Sequence, residues 1–264
     1  MLRKAFTVLV YIFAAIGLVL VLGYLAVRLG LTNERGIIDL QREDFLAGEK
    51  VSWANTEEWG VLDEAIRRDE AVIKRAAQDS GVPARLIVAN LVTEQLRLFF
   101  TEREAYKQFF YPLKILGPQS QFSWGVMGMK EETAIQVEQN LTNPAGAFYP
   151  GARFENAITF PELTDIKQER FARMTDQHDH YWSYLYAGLY IKQIEEQWRR
   201  AGFPIDNNIA VLSTLYNIGF ANSKPKNDPQ VGGAAITIEG ATYSFGGLAE
   251  DFYKSDLLID IFPR

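Results

Sequence analysis

The stretch Val82-Pro83-Ala84-Arg85-Leu86-Ile87-Val88-Ala89-Asn90-Leu91-Val92-Thr93-Glu94-Gln95-Leu96-Arg97-Leu98 constrains the fold more than any other part of the chain. It opens with a proline suited to a first helical turn and then carries no helix breaker. At about 100° per residue, Ile87, Leu91, Glu94 and Leu98 fall within roughly 60° of one another, so the helix sets a carboxylate in its core-facing stripe. A charged carboxylate is expensive to bury, and desolvation raises its pKa, as a general acid working near neutral pH requires. A buried glutamate paired with an arginine, or capped by backbone donors, fits the same pattern.

The surrounding sequence reads as mainly helical. A stripe of Trp59, Leu62, Ile66, Ile73 and Ala77 ends at Ser80-Gly81, a helix stop. After the Glu94 helix come an aromatic-rich segment (Phe99 to Tyr111) and a loop at Gly117-Pro118. A helix is predicted from about Lys130 to Asn140, followed by a Pro-, Gly- and Asn-rich loop over 141–165. Further helices are expected over about Asp179–Ala201, Asn207–Phe220 and Gly247–Tyr253. Alternation through Ala235–Tyr243 predicts one β-hairpin turning at Glu239-Gly240.

Residues Ala5 to Val27 hold no charged side chain. As a helix this run spans roughly 34 Å, enough to cross a bilayer core. A cleaved signal peptide would have a shorter apolar region and a small-residue cleavage site. The expected organisation is therefore a cytoplasmic N-terminus over 1–4, a transmembrane anchor over 5–27, a juxtamembrane stalk over 28–56 and a globular domain over 57–264. Arg3 and Lys4 place the N-terminus inside and the domain outside the membrane. The net charge of -6, with no basic stripe, argues against a nucleic-acid partner, and the chain has no cysteine.

Two further segments bear on chemistry: Trp124-Gly125-Val126-Met127-Gly128-Met129 through Thr133-Ala134, and Leu215-Tyr216-Asn217-Ile218-Gly219 at a helix end. His178 and His180 are two residues apart and point to different helix faces, so no metal site is expected. Tyr216 and Asn217 fit a buried helix-end tyrosine with a C-terminal cap equally well. Trp124, Phe99 and Phe110 suit either core packing or stacking on a ligand ring.

Taken in order, these segments resemble the lytic transglycosylases of the soluble, goose-type-lysozyme-like family. Gly81-Val82-Pro83 through Glu94-Gln95 is similar to the family run that ends in the catalytic Glu followed by Ser. Gly125-Val126-Met127-Gly128-Met129 is similar to its Gly-Leu-Met-Gln-x-Met. Leu215-Tyr216-Asn217-Ile218-Gly219 is similar to its Ala-Tyr-Asn-x-Gly, and Ala187-Gly188-Leu189-Tyr190-Ile191 is a loose counterpart of an intervening helix. The resemblance covers residues 81–220. It implies a lysozyme-like α-helical domain with a small β-hairpin, anchored in the inner membrane of a bacterium and facing the peptidoglycan.

The implied reaction cleaves the β-1,4 bond between N-acetylmuramic acid and N-acetylglucosamine, leaving a 1,6-anhydro end. Glu94 serves as the single acid and base, with Tyr216 directing its hydroxyl toward that carboxyl. Gln95, Gly125, Val126, Met127, Tyr190 and Asn217 bind the glycan. No metal and no cofactor is implied. The implied partners are glycan strands, the membrane and an unspecified envelope machine. A muramidase, or an inactive glycan-binding scaffold, would keep the same motifs. A hydrolase needs a second acid, for which Glu102, Glu104, Glu131 and Glu132 are candidates. Two positions depart from the family pattern. Gln95 replaces the Ser with a longer arm, and Gly128 replaces a Gln, an exchange expected to leave space in the cleft wall.

Overall fold

Helix α1 (Glu57–Arg68) begins where Thr56 Oγ1 accepts the Trp59 amide, with Glu57 and Glu58 in its first turn and Arg67 and Arg68 in its last. The protein is described by a computed structural model over residues 51–101, 124–162 and 165–264, together with Phe13, Gly17 and Leu18. The expected span over 5–27 lies outside the described residues except for those three. So do residues 28–50 of the expected stalk, Glu102, Glu104, Phe110 and the loop at Gly117-Pro118. No helix among the described residues is long and apolar enough to cross a membrane.

The described part is mainly α. After α1 come α2 (Glu70–Ser80), α3 (Ala84–Thr101), α4 (Glu131–Leu141), α5 (Ile166–Met174), α6 (Tyr181–Arg200) and α7 (Ile209–Ile218). A two-stranded antiparallel sheet of β1 (Ala235–Ile238) and β2 (Ala241–Ser244) leads into α8 (Phe245–Lys254). Its turn is the expected one. Glu239 and Gly240 both have positive φ, at 49° and 90°, as a two-residue primed turn requires.

Three expectations need correction. The stripe from Trp59 to Ala77 belongs to two helices, because the chain breaks at Asp69 (φ -89°, ψ 6°), whose side chain turns to His180 and Tyr184. The folded domain also starts before residue 57. Ser52–Asn55 form a 3-10 turn, and Trp53 is 1% exposed, edge-on to Trp59. Helix α5 went unforeseen, since it is short and its apolar residues Ile166, Phe171, Ala172 and Met174 are interspersed with five polar ones. It is capped by Asp165, which accepts the Lys167 and Gln168 amides. Buried Arg170 then fixes α5 to Glu138 of α4 at 2.6 Å. Between α4 and α5 the described residues, 142–162 and 165, are loop with one 3-10 turn at Ala152–Phe154, as expected, but a pinned loop. Arg200 donates to the carbonyls of Gly146 and Tyr149, and Phe154 is buried.

Helix α3 is the axis of the domain and packs against α1, α2, α6, α7, α8 and β1. Residues 85–94 are buried on every side, so the apolar stripe read from the sequence is one face of a fully enclosed helix. The polar residues it encloses bond internally, except that Asn90 Oδ1 is buried with no partner among the described residues. Asn90 donates to Leu86 O and Thr93 to Ala89 O, both at 2.9 Å. Arg85 spends all five N–H donors on main-chain carbonyls of the C-terminal segment. Those acceptors are Tyr253, Leu257, Phe262, Phe252 and Ser255, at 2.6–3.0 Å. Helices α2 and α6 meet closely at Gly188, where a Cβ would overlap the Ser80 hydroxyl.

Asp251 in α8 gives the fold a pH dependence. Burial first, then the charge of Glu250, raises its carboxyl from 3.8 to about 7. Because the folded value lies above the unfolded one, the stabilisation is complete below about pH 4 and is lost as pH rises through 7. The gap sets an upper bound of about 4 kcal/mol, which solvent relaxation reduces to about 2 kcal/mol. Asp251→Asn is therefore expected to raise stability to urea at pH 8 by about 2 kcal/mol and to leave it nearly unchanged at pH 4. Equal effects at the two pH values would contradict this.

Candidate functional site

Glu94 is 3% exposed and is the last residue of the fully buried stretch 85–94 of α3. Arg97, one turn further along the same helix, grips its carboxylate from two sides. Arg97 Nη2 lies 2.5 Å from Oε1 and Nε lies 3.2 Å from Oε2. The pairing is the structural alternative left open by the sequence. Burial and the guanidinium pull the proton of Glu94 in opposite directions, since desolvation disfavours the ionised form and an adjacent cation favours it.

The turn Trp124–Met129 forms the opposite wall. Its ends are closed by reciprocal main-chain hydrogen bonds between Trp124 and Met129. Three helices hold it. Gln95 of α3 donates to Val126 O, Ser183 of α6 accepts the Met127 amide, and Tyr216 of α7 donates to Met127 O at 2.8 Å. Gly128 has φ +59°, and a Cβ there would overlap the Glu94 carboxylate. The expectation that Gly128 leaves space is therefore wrong: the room is filled by Glu94 itself. Any side chain at 128 would meet both strain and a carboxylate.

Gly128 also borders a cleft of about 110 Å³ lined by Met129, Thr133, Tyr190, Tyr216, Asn217 and Gly219. Three of the sequence segments thus converge on one place, with Tyr190 contributed by α6. Tyr216 is buried, with its remaining exposure on the cleft. Desolvation and then the negative charge of Glu94 push its hydroxyl well above its ordinary value, so it stays protonated. Its one proton goes to Met127 O, which makes Tyr216 a residue that positions the turn. Asn217 Oδ1 accepts the Ala234 amide, tying the end of α7 to the approach to the hairpin. Tyr190 packs on Tyr216 with ring centroids 5.2 Å apart and is itself raised by burial.

The turn has a second cavity on its other side, of about 60 Å³, where Gly125 and Val126 face Leu62, Leu91, Gln95 and Phe99. Gln95 and Glu94 are consecutive, yet Gln95 borders this cavity while Glu94 abuts Gly128. Asp69, His180 and Tyr184 form the polar end of the cavity. Asp69 Oδ2 lies 2.5 Å from His180 Nδ1 and accepts the Tyr184 hydroxyl at 2.8 Å. Burial works to raise the Asp69 carboxyl, but the bonds from His180 and Tyr184 outweigh it and leave it below its ordinary value. Tyr184 is pushed well up, by burial and then by the charge of Asp69.

Phe99 lines the second cavity, whereas Trp124 packs edge-on against Phe171. Among the described residues no group of three or more His, Asp or Glu could hold a metal ion. Glu131 and Glu132 lie in the first turn of α4, where carboxylates complement the helix dipole. Arg97 is the residue that sequence reasoning missed. Its signal was present, since a position three beyond Glu94 shares its helix face. Comparison of the chain with protein-family models, with curated proteins and with solved structures gives no match.

Proposed function

We propose that this mainly helical domain is a glycan-cleaving enzyme in which Glu94 is the sole acid and base. More specifically, we take it to be a lysozyme-like lytic transglycosylase acting on peptidoglycan, anchored by residues 5–27 with its domain on the periplasmic face. The observation that carries the reading is the contact between Glu94 and Gly128. It joins a nearly buried carboxylate to a cleft walled by the two other segments that resemble the family.

In this reading, protonated Glu94 gives its proton to the glycosidic oxygen as the bond to the muramyl C1 breaks. The carboxylate left behind removes the proton of the muramyl 6-hydroxyl, whose oxygen closes onto C1. One carboxyl group suffices, and no water enters. Tyr216, Gln95 and Ser183 act through the backbone by fixing the turn against which the sugar lies.

The test is digestion of peptidoglycan by the full chain, with products weighed by mass spectrometry. Anhydro ends are expected, and Glu94→Gln is expected to lower their release by about 100-fold or more. Products heavier by one water would make the protein a muramidase. Undiminished release by the Gln variant would remove Glu94 from the mechanism. One observation favours a second reading, an inactive glycan-binding scaffold: the ion pair with Arg97 favours the carboxylate over the acid. Glycan binding with no cleavage on long incubation would support that reading.

A further inference from the structure

The side chains of the cleft beside Gly128 offer far more donors than acceptors. Tyr216 commits its proton to Met127 O, and Tyr190 directs its hydroxyl at Leu215 O, 3.4 Å away. Asn217 uses its side-chain carbonyl to accept the Ala234 amide. Only an oxygen can accept from that N–H, so the group Asn217 keeps for a ligand is its NH2, which has no partner among the described residues. Lys130 and Thr133 also line the cleft, at the start of α4. Neither side chain makes a hydrogen bond or an ion pair among the described residues, although Glu131 and Glu132 follow Lys130 directly. No carboxylate among the described residues lines the cleft, and Glu94 touches its margin only at Gly128. The uncommitted groups are thus an ammonium, an amide NH2 and a hydroxyl, set against apolar surface from Met129, Tyr216 and Ile218.

We propose that this cleft is a subsite for the lactyl carboxylate of a muramyl residue, and that Lys130 is the residue that selects it. The inference rests on the peptidoglycan-cleaving reading given above and names the substrate feature that its site recognises. A surface of donors and apolar groups takes a small substituent that joins an anionic acceptor to an apolar part. The volume of about 110 Å³ equals roughly four waters' share of liquid, which suits one substituent and not a whole decorated sugar ring. The lactyl ether on C3 of the muramyl ring has that make-up, a methyl group and a carboxylate on one carbon, where N-acetylglucosamine has only a hydroxyl.

In the filled subsite the carboxylate meets Lys130 and Thr133, which are three apart and share a face of α4. The methyl group lies on Met129 and Ile218, and the Asn217 NH2 serves a further acceptor of the same sugar. On strands that carry stem peptides the lactyl group is an amide without charge, so the subsite favours peptide-free strands. No covalent bond forms or breaks in this step. Lys130 is exposed and its side chain makes no cap bond, so its replacement leaves the start of α4 as it is.

The test uses the full chain and has two arms. In the binding arm methionine is labelled with 13C at its methyl group, and the Met129 resonance is assigned by its loss in Met129→Leu. Titration with N-acetylmuramic acid and with its methylamide reads the Kd of each. The wild type is expected to bind the acid about fivefold more tightly than the amide. Lys130→Met is expected to bind the two alike, and Lys130→Arg to keep the difference. Equal Kd values in the wild type, or a difference that survives in Lys130→Met, overturn the subsite. The kinetic arm compares peptide-free strands, the same strands with their lactyl acids converted to methylamides, and peptide-bearing strands. On the first, Lys130→Met is expected to raise KM about fivefold and to leave kcat within about twofold, a split that a merely structural role would not produce. On the methylamide strands it is expected to change neither. A larger effect on peptide-bearing strands overturns the lactyl assignment in favour of a stem carboxylate. Wild-type cleavage that is indifferent to the methylamide removes the subsite and leaves the enzyme assignment. If no strand is cut, the enzyme assignment fails, and the binding arm still decides the subsite.

Discussion

Replacing Arg85 by methionine is expected to cost about 4 kcal/mol or more and to release the segment that follows α8. The guanidinium is completely buried, and among the described residues its hydrogen-bond acceptors are all main-chain carbonyls. Its five N–H groups donate to five main-chain carbonyls between Phe252 and Phe262, at and just beyond the end of α8. Methionine fills a similar volume but takes a donor from all five carbonyls; Phe252 O keeps Ser255, and Tyr253 O and Ser255 O keep Arg264, whereas Leu257 O and Phe262 O are left with no donor among the described residues. Each buried acceptor without a partner costs about 1–3 kcal/mol, and relaxation toward water recovers part of the sum. Burial, followed by the nearby charge of Arg264, lowers Arg85 from its ordinary value, although a guanidinium keeps its proton throughout. Lysine offers three donors from a point charge and is expected to recover only part of the loss. Urea unfolding and limited proteolysis would measure this. A methionine variant within about 1 kcal/mol of the wild type, with an intact C-terminal segment, would show that the network contributes little.

The second large effect is expected at Gly128. Changing it to glutamine restores the residue that the resembling family carries, yet it should damage this protein. At φ +59° a side chain costs about 1 kcal/mol in backbone strain, and its Cβ overlaps the Glu94 carboxylate. Glu94 must then leave its place against the turn, separating from the cleft that Gly128 borders. Expected are a stability loss of about 1–3 kcal/mol and, if the protein cleaves glycan, a fall in rate of about 100-fold. Gly128→Ala, which adds only the offending Cβ, should reproduce most of both losses. A glutamine variant as active as the wild type would mean that the turn repositions easily and that its three anchors are weak.

Most of the architecture was legible because its signals are local. Pro83 and Gly81 bracket the turn into α3, Glu239-Gly240 marks the hairpin, and the apolar spacing through Trp182, Leu185, Leu189 and Trp198 outlines α6. What escaped was decided by partners distant in sequence. Asp69 interrupts a regular helical pattern because His180 and Tyr184, more than 100 residues later, draw its side chain away. Helix α5 is short and rich in charge, and it is fixed by Phe171 against Trp124 and by Arg170 on Glu138, a pair that no period reveals. Trp53 lies outside any helical pattern, so its burial was invisible until Trp59 was seen against it. At the site, the Glu94 position was readable from its helix face. Its relation to Gly128 was not, since a missing side chain suggests empty space unless the neighbour that fills it is known. Arg97 shared a face with Glu94 all along, but spacing alone does not separate an ion pair from two solvated charges.

The Arg85 network also sets the order in which the domain can be completed during synthesis. Arg85 and Phe262 are 177 positions apart, and helix α3 encloses the guanidinium at the centre of the fold. A ribosome exposing α1 through α7 therefore releases a chain whose central helix still carries an uncompensated cation in its core, a state that resists closing. The domain locks only when the last of the five carbonyls arrives. Chains terminated before residue 252 should consequently be recognised and degraded as unfinished, however intact Glu94 and the cleft walls.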